Sequence, residues 1–261
     1  MEFKLPERPQ NSHKGTFGKV LNIAGSFNYS GAAFLSSISA LKIGAGLVAL
    51  SAPKEVIQSV AAQTPDVVFL TREETLEKLN DFTVVSIGSG IGEKPETVEF
   101  FKTILDKLVE LEKPTIIDAS GLNILANLGD KKFSPKFVLT PHPAEAARLL
   151  NTDVENIVNK PDLWTIKLAE KYGCVCLIKG MNTRVYKQGQ EIYINNTGCS
   201  ALAKAGSGDV LTGMIAGLIA QGMDSFEATK TAVYFHGKAG EKAAKELGEH
   251  GVLASDLLKY I

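Results

Sequence analysis

A chain of 261 residues, 44% hydrophobic and 22% charged, is long enough to build one large α/β core. With 28 Lys and Arg against 29 Asp and Glu the formal net charge is −1, and no basic run is interleaved with aromatic residues, which argues against a nucleic-acid partner. The longest apolar stretches are broken by Gly, Ser or Lys well short of the roughly 20 residues a membrane-spanning helix needs, and the polar, proline-rich start is unlike a secretory signal, so no membrane partner and a cytoplasmic location are expected.

Short β-rich runs alternate with helical stretches along most of the chain. The strands expected are Val20–Ala24, Leu47–Leu50, Val67–Leu70, Val84–Ile87, Thr115–Asp118, Phe137–Leu139 and Val175–Ile178. Helices are expected between them near 31–44, 54–62, 72–79, 95–110, 121–127, 143–150 and 161–172. Alternation of this kind, with near-continuous apolar strands, predicts a mostly parallel sheet covered by helices on both faces, with ligands at the carboxyl ends of the strands. After Lys179 the pattern changes to a hairpin built from Thr183–Lys187 and Glu191–Ile194, and helices near 208–221, 225–247 and 252–259 complete the chain. No repeat, low-complexity tract or linker divides it, so a single domain spanning 1–261 is expected.

Several strand-end segments carry candidate chemistry. Ser26-Phe-Asn-Tyr-Ser-Gly-Ala-Ala-Phe34 enters a helix of small residues, which either permit tight packing or leave room for a flat ligand beside Gly31 and Ala32. Ile87-Gly-Ser-Gly-Ile-Gly92 is a glycine-rich turn after a strand. In Leu139-Thr-Pro-His-Pro-Ala-Glu145, His142 and Glu145 make sound helix-start chemistry, and the same rigid turn would hold an imidazole and a carboxylate over a strand end. Lys179-Gly-Met-Asn-Thr183 reads as a hairpin turn with a solvated lysine, or as a cation with polar neighbours for phosphate.

The most informative segment is Asn196-Thr-Gly-Cys-Ser-Ala-Leu-Ala-Lys-Ala-Gly-Ser-Gly-Asp209. Its glycines allow close backbone approach, and a helix follows whose N-terminus offers unpaired N–H groups and about half a positive charge. Asp209 places a carboxylate on the first turn of that helix. The pattern is an anion hole with an acid in it. Cys174 and Cys176, two apart in a strand, are expected to be packing residues on one face. Three cysteines without C-x-x-C spacing, and histidines at 13, 142, 236 and 250, offer no transition-metal set.

Taken together, the chain resembles the nucleotide-dependent NAD(P)H-hydrate dehydratases of the ribokinase-like superfamily. The resemblance rests on His13-Lys-Gly-Thr-Phe-Gly-Lys19 and its continuation to Ser26, Tyr29-Ser-Gly-Ala-Ala33, Leu139-Thr-Pro-His-Pro-Ala-Glu145, Lys179–Thr183, Asn196-Thr-Gly198, Ala205-Gly-Ser-Gly-Asp-Val-Leu-Thr-Gly213 and Tyr234-Phe-His-Gly237. It implies a ribokinase-like α/β fold and repair of hydrated NADH or NADPH (NADHX, NADPHX) with ADP or ATP as co-substrate. The ring hydroxyl would be phosphorylated and phosphate then eliminated. By the same resemblance Asp209 is the general base. The hydrated dinucleotide would meet Ala32 (or Ala33), Gly90, His142 and Asp209. The nucleotide would meet Lys179, Gly180, Met181, Asn182 and Thr183, and then Cys199, Ser200, Ala201, Leu202, Ala203, Lys204, Ala205, Gly206, Ser207 and Gly208. Mg²⁺ is implied on the phosphates, with Glu145 orienting one of its waters. A homo-oligomer and no fused epimerase domain are further expectations. Two departures stand out: Ala205 where Gly is frequent, tolerable if its φ is negative, and Ser120 in Asp118-Ala-Ser-Gly-Leu-Asn123 where a second Asp is common, which removes the expectation of a catalytic role for that loop. The rival readings are a small-molecule kinase of the same fold, a non-catalytic nucleotide sensor, and a purely structural interaction protein.

Overall fold

Successive side chains of the first strand point to opposite sides, and both sides are apolar. The computed structural model describes residues 3–129 and 131–261. In β1 (Lys19–Ile23), Val20 enters one hydrophobic core, while Leu21 and Ile23 enter another. The same alternation holds for Val84 and Val85 of β4 (Val84–Ile87), and for Ile116 and Ile117 of β5 (Thr115–Ile117). A period of two that is apolar in both phases describes a sheet buried on both faces.

Seven strands run parallel: β1, β2 (Leu47–Ser51), β3 (Val68–Leu70), β4, β5, β6 (Phe137–Leu139) and β7 (Val175–Ile178). The antiparallel β8 (Arg184–Tyr186) and β9 (Tyr193–Ile194) extend the sheet as the predicted hairpin. The order is β3-β2-β1-β4-β5-β6-β7-β8-β9, so the winding direction reverses between β1 and β4. At such a reversal the following helices diverge to opposite faces and leave a crevice above the strand ends.

One core is closed by α1 (Ser30–Lys42), α2 (Lys54–Ala61), α9 (Ser207–Ala220) and α10 (Ser225–Leu247). The other is closed chiefly by α4 (Pro95–Glu110), α5 (Ser120–Ala126), α6 (Pro143–Leu150), α7 (Val154–Asn159) and α8 (Pro161–Tyr172), while α3 (Arg72–Lys78) lies beside β3 at the sheet edge. Cys174 and Cys176 both belong to this second core, the same-face packing expected of them. Helix α9 is buried from Val210 to Ala220 on every side, which identifies it as a central helix held between α1, α10 and the sheet.

Most expected elements occur within one or two residues of their predicted bounds. The exceptions are α7, which the sequence pattern does not predict, and the C-terminal helix, which is only a 3-10 turn at Asp256–Lys259. Helix α7 is six residues long and buries only Ile157, too little apolar periodicity to register in the sequence.

Candidate active site

Because β4, β5, β6 and β7 are parallel neighbours, the residues that follow each of them meet above one edge of the sheet. Asp118 follows β5 and is essentially inaccessible, 1% exposed. Its Oδ1 accepts hydrogen bonds from Lys179 Nζ (2.8 Å), following β7, and from Thr140 Oγ1 (2.7 Å), following β6. Its Oδ2 accepts from Thr212 Oγ1 of α9 (2.9 Å) and from Ser89 Oγ, following β4 (3.3 Å). A buried carboxylate is tolerable only when paired and hydrogen-bonded, and here four donors meet that requirement. Burial works to raise the Asp118 pKa, but the Lys179 ammonium and the Thr140 and Thr212 hydroxyls outweigh it and hold the carboxyl below its ordinary range.

This hub decides between the two readings of Lys179 and brings the Asp118 loop into the candidate site. Lys179 is no solvated hairpin lysine: its side chain is 20% exposed and paired. The loop that begins at Asp118 is central to the site despite Ser120, whose Oγ accepts a hydrogen bond from the Gly92 N–H. Sequence reasoning missed Asp118, although a charged residue ending the apolar run Thr115-Ile-Ile117 was the available signal. Ala119 adopts φ 49° and ψ −119°, a strained conformation for a residue with a side chain.

The expected helix start forms, and the candidate anion hole lies at the N-terminus of α9. Gly206 is its N-cap, in a left-handed conformation (φ 92°). Ala205 does not share the positive φ, so the alanine fits there. Lys179 Nζ stands beside this first turn, since a Cβ on Gly208 would lie 3.4 Å from it. Burial works against the ammonium, yet Asp118 and Glu145, assisted by Asp209, raise the Lys179 pKa above its usual value. The lysine therefore keeps a full positive charge at the mouth of the hole.

Asp209 stands on the same turn. Burial first, and the negative charge of Asp118 second, push its carboxyl up to about 6, against the opposing influence of a Ser89 hydrogen bond and Lys179. Two carboxylates with divergent affinities for a proton, one locked as an anion and one poised near neutrality, divide structural from acid–base work.

Toward β1, Gly90 and Ala32 face one another: a Cβ on Gly90 (φ 67°) would approach the Ala32 Cβ to 2.9 Å and the Tyr29 Cβ to 2.7 Å. Ser26 Oγ donates to the Gly90 carbonyl (2.7 Å), tying the two loops across the reversal point. On the other side His142 caps α6, where Nδ1 accepts from the Ala144 and Glu145 N–H groups and Glu145 Oε2 accepts from the His142 N–H (2.7 Å). The capping box read from the sequence is thus present. It also leaves Glu145 Oε1 3.4 Å from His142 Nε2, and Glu145 Oε2 4.0 Å from Lys179 Nζ.

The two expected nucleotide segments meet where Lys179 Nζ stands beside Gly208, and the first is also tied by a hydrogen bond from the Asn195 N–H to the Thr183 carbonyl (2.9 Å), four residues before the second begins. In the first, Met181 is 91% exposed and Asn182 is left-handed, and Arg184 donates to the carbonyls of Met181 (3.2 Å) and Asn182 (2.6 Å). Sequence reasoning missed Arg184, which reads only as a strand residue. The second segment, Cys199–Gly208, makes one 3-10 turn at Ser200–Leu202 before α9.

Residues 20–261 match the model of the NAD(P)H-hydrate dehydratase family. The chain belongs to this family. It is 37% identical to the bifunctional NAD(P)H-hydrate repair enzyme Nnr of Moorella thermoacetica over 99% of its own length, and spans 51% of that protein. It is 35% identical to the ADP-dependent (S)-NAD(P)H-hydrate dehydratase of Neisseria meningitidis, with 96% of this chain and 86% of that one covered. Among solved structures, the family's ADP/ATP-dependent NAD(P)H-hydrate dehydratase of Bacillus subtilis, co-crystallized with ATP/Mg²⁺, gives a TM-score of 0.85 at 30% identity and covers 98% of this chain and 91% of that one. The ribokinase-like α/β fold that the family implies is the fold observed.

Proposed function

We propose that this protein is a nucleotide-dependent dehydratase that returns hydrated NADH and NADPH to the intact cofactors, using ADP or ATP. Family membership supplies the substrate class. The observation that carries the chemistry is the juxtaposition of a protonatable Asp209 with Lys179 and the backbone N–H groups of one helix turn.

Hydroxide is a poor leaving group and phosphate a good one, so once the ring hydroxyl is phosphorylated its C–O bond breaks with release of phosphate, and the neighbouring ring carbon loses a proton as the double bond forms. Asp209 takes the proton of the ring hydroxyl as it attacks the nucleotide's terminal phosphoryl group. Lys179 and the N–H groups of Gly208 and Asp209 stabilise the charge on that group in transit, the Ser207 N–H being engaged by the Lys204 carbonyl (3.3 Å). Asp118 touches no reactant in this scheme. It fixes Lys179, and its charge keeps Asp209 basic enough to act near neutral pH. Gly90, Ala32 and His142 shape the pocket for the dinucleotide, and Lys179–Thr183 with Cys199–Gly208 enclose the nucleotide.

A magnesium ion fits these residues as one carried on phosphate oxygens. Among the described residues no three His, Cys, Asp or Glu side chains cluster into a cage, and Mg²⁺ characteristically keeps several waters and takes few protein ligands. Glu145, with one oxygen engaged in its helix cap, would hold one of those waters. When bound, the ion would neutralise phosphate charge.

The test is a reaction of purified protein with NADHX or NADPHX and each nucleotide in turn. Return of the reduced-nicotinamide absorbance with one phosphate released per turnover is expected. Accumulation of a phosphorylated alcohol would instead identify a kinase, and binding of nucleotide without turnover a sensor.

A further inference from the structure

The Tyr234-Phe-His-Gly237 motif has no part in the scheme above, yet its histidine reaches the anion hole. His236, in the middle of α10, is 8% exposed. Its Nε2 lies 3.0 Å from the Ser207 carbonyl oxygen and 3.1 Å from Ser207 Oγ. A carbonyl oxygen only accepts, so Nε2 must carry the hydrogen and the ring must present itself as a donor. Ser207 Oγ, sharing that N–H as a second acceptor, keeps its own hydroxyl proton. Burial, aided by the nearby Lys179 charge and opposed by the Ser207 hydrogen bond, pushes the imidazole down to about 4, so it stays neutral at working pH.

The rest of α10 supports the same region. Thr197 Oγ1 lies 3.0 Å from the Tyr234 carbonyl, and the Gly198 N–H donates to Glu241 Oε1 (2.9 Å). A Cβ on Gly237 would approach Thr197 Oγ1 to 2.1 Å, so α10 packs tightly on Thr197, two residues before the nucleotide segment. His236 is therefore held rigidly by the helix that also shapes the approach to the hole.

We propose that His236 is a positioning residue for phosphoryl transfer: by donating Nε2–H to Ser207 it fixes the first residue of α9 and directs the Ser207 hydroxyl proton into the anion hole, where it donates to the transferred phosphoryl group. The inference rests on the phosphorylation step of the proposed function. It makes Ser207 a side-chain donor beside the backbone N–H groups of the helix N-terminus.

The experiment is a double-mutant cycle of His236→Met and Ser207→Ala, with His236→Gln as the conservative variant. Methionine fills the buried space without a donor, and glutamine restores an N–H of similar reach. Each single variant is expected to lower kcat about tenfold or more with a smaller change in KM for the hydrate, as loss of one preorganised donor does. The double variant should be no slower than the slower single one, and His236→Gln should recover most of the rate. Multiplying effects in the double variant, or His236→Gln as slow as His236→Met with an unchanged melting temperature, would overturn the proposal. The same cycle on the dissociation constant for ATP needs no turnover. It reads the His236–Ser207 coupling even if the wild-type protein failed to repair the hydrate.

Discussion

Asp209 is stabilising as an acid and destabilising as an anion. Its ordinary carboxyl value of 3.8 is raised to about 6 by burial and by Asp118, so the folded state holds the proton more tightly than the unfolded chain. Stability is then fully present below the unfolded value and is lost as pH rises through about 6. Replacement by the neutral isostere should remove that penalty, a tenfold difference in proton affinity between folded and unfolded chain being worth about 1.4 kcal/mol. Asp209→Asn is accordingly expected to be more stable than wild type by about 1–3 kcal/mol at pH 7.5, while losing nearly all turnover and keeping nucleotide affinity. Denaturant melts of both proteins at pH 5 and pH 7.5 would show the gap already about half open at the lower pH, which lies between the two values, and fully open at the higher. The wild-type rate should fall on acidification with a limb near 6; a rate independent of pH from 5 to 8 would remove Asp209 as the base. His142 and Glu145 illustrate what is legible at this scale. Their capping box involves residues three apart, so the sequence pattern Pro-His-Pro-Ala-Glu contains it entirely. Lys179 and Asp118 illustrate the opposite case, a pair separated by 61 positions in the chain.

Helix α9 is the element on which the site is built, and its placement depends on closeness to α1. Gly213 meets α1 so tightly that a Cβ would lie 2.0 Å from Ser39 Oγ and 2.1 Å from the Ser36 carbonyl oxygen. Backbone cannot yield as a flexible side chain can, so Gly213→Ala is expected to cost about 2 kcal/mol or more. Gly31, near the start of α1, has nothing within 4 Å of its Cβ position, and Gly31→Ala should be neutral or up to about 1 kcal/mol stabilising. Thermal melts of the pair test the packing directly, and equal effects would contradict it. Inside the sheet, Asn22 donates to Ser36 Oγ (2.8 Å) and Ser37 Oγ (2.9 Å) of α1 and accepts from Ser86 Oγ (2.8 Å) of β4. This satisfied polar network pins α1 over the reversal point, and Ser36 Oγ in turn donates to the Ala32 carbonyl (2.6 Å) at the proposed substrate pocket. The small residues of α1 are readable in the sequence either as packing or as room for a ligand. The packing reading holds along the helix: Ser36 and Ser39 meet Gly213, and Ala32 faces Gly90.

At the scale of the whole molecule, the site is a meeting of segments drawn from residue 26 to residue 241, and a ligand bound there ties both layers of helices to one sheet. Binding to the folded state alone stabilises it by about 2.7 kcal/mol at a concentration one hundred times the dissociation constant. For a chain of this size that corresponds to a rise of roughly 5–10 °C in melting temperature, expected for ADP or ATP with magnesium and measurable by calorimetry. No shift at saturating nucleotide would refute the nucleotide site. The order and type of nearly all the elements were determined by the sequence itself, because apolar periodicity, helix caps and glycine turns act over a few residues. The anion hole at Gly206–Asp209 was determined in the same way. Tertiary structure decided what those groups do: that Lys179 is paired and not solvated, that Asp118 organises four strand ends, that Asp209 titrates near 6, and that His236 touches Ser207. Each of these depends on distance and desolvation between groups tens of residues apart, quantities that only the closed fold fixes.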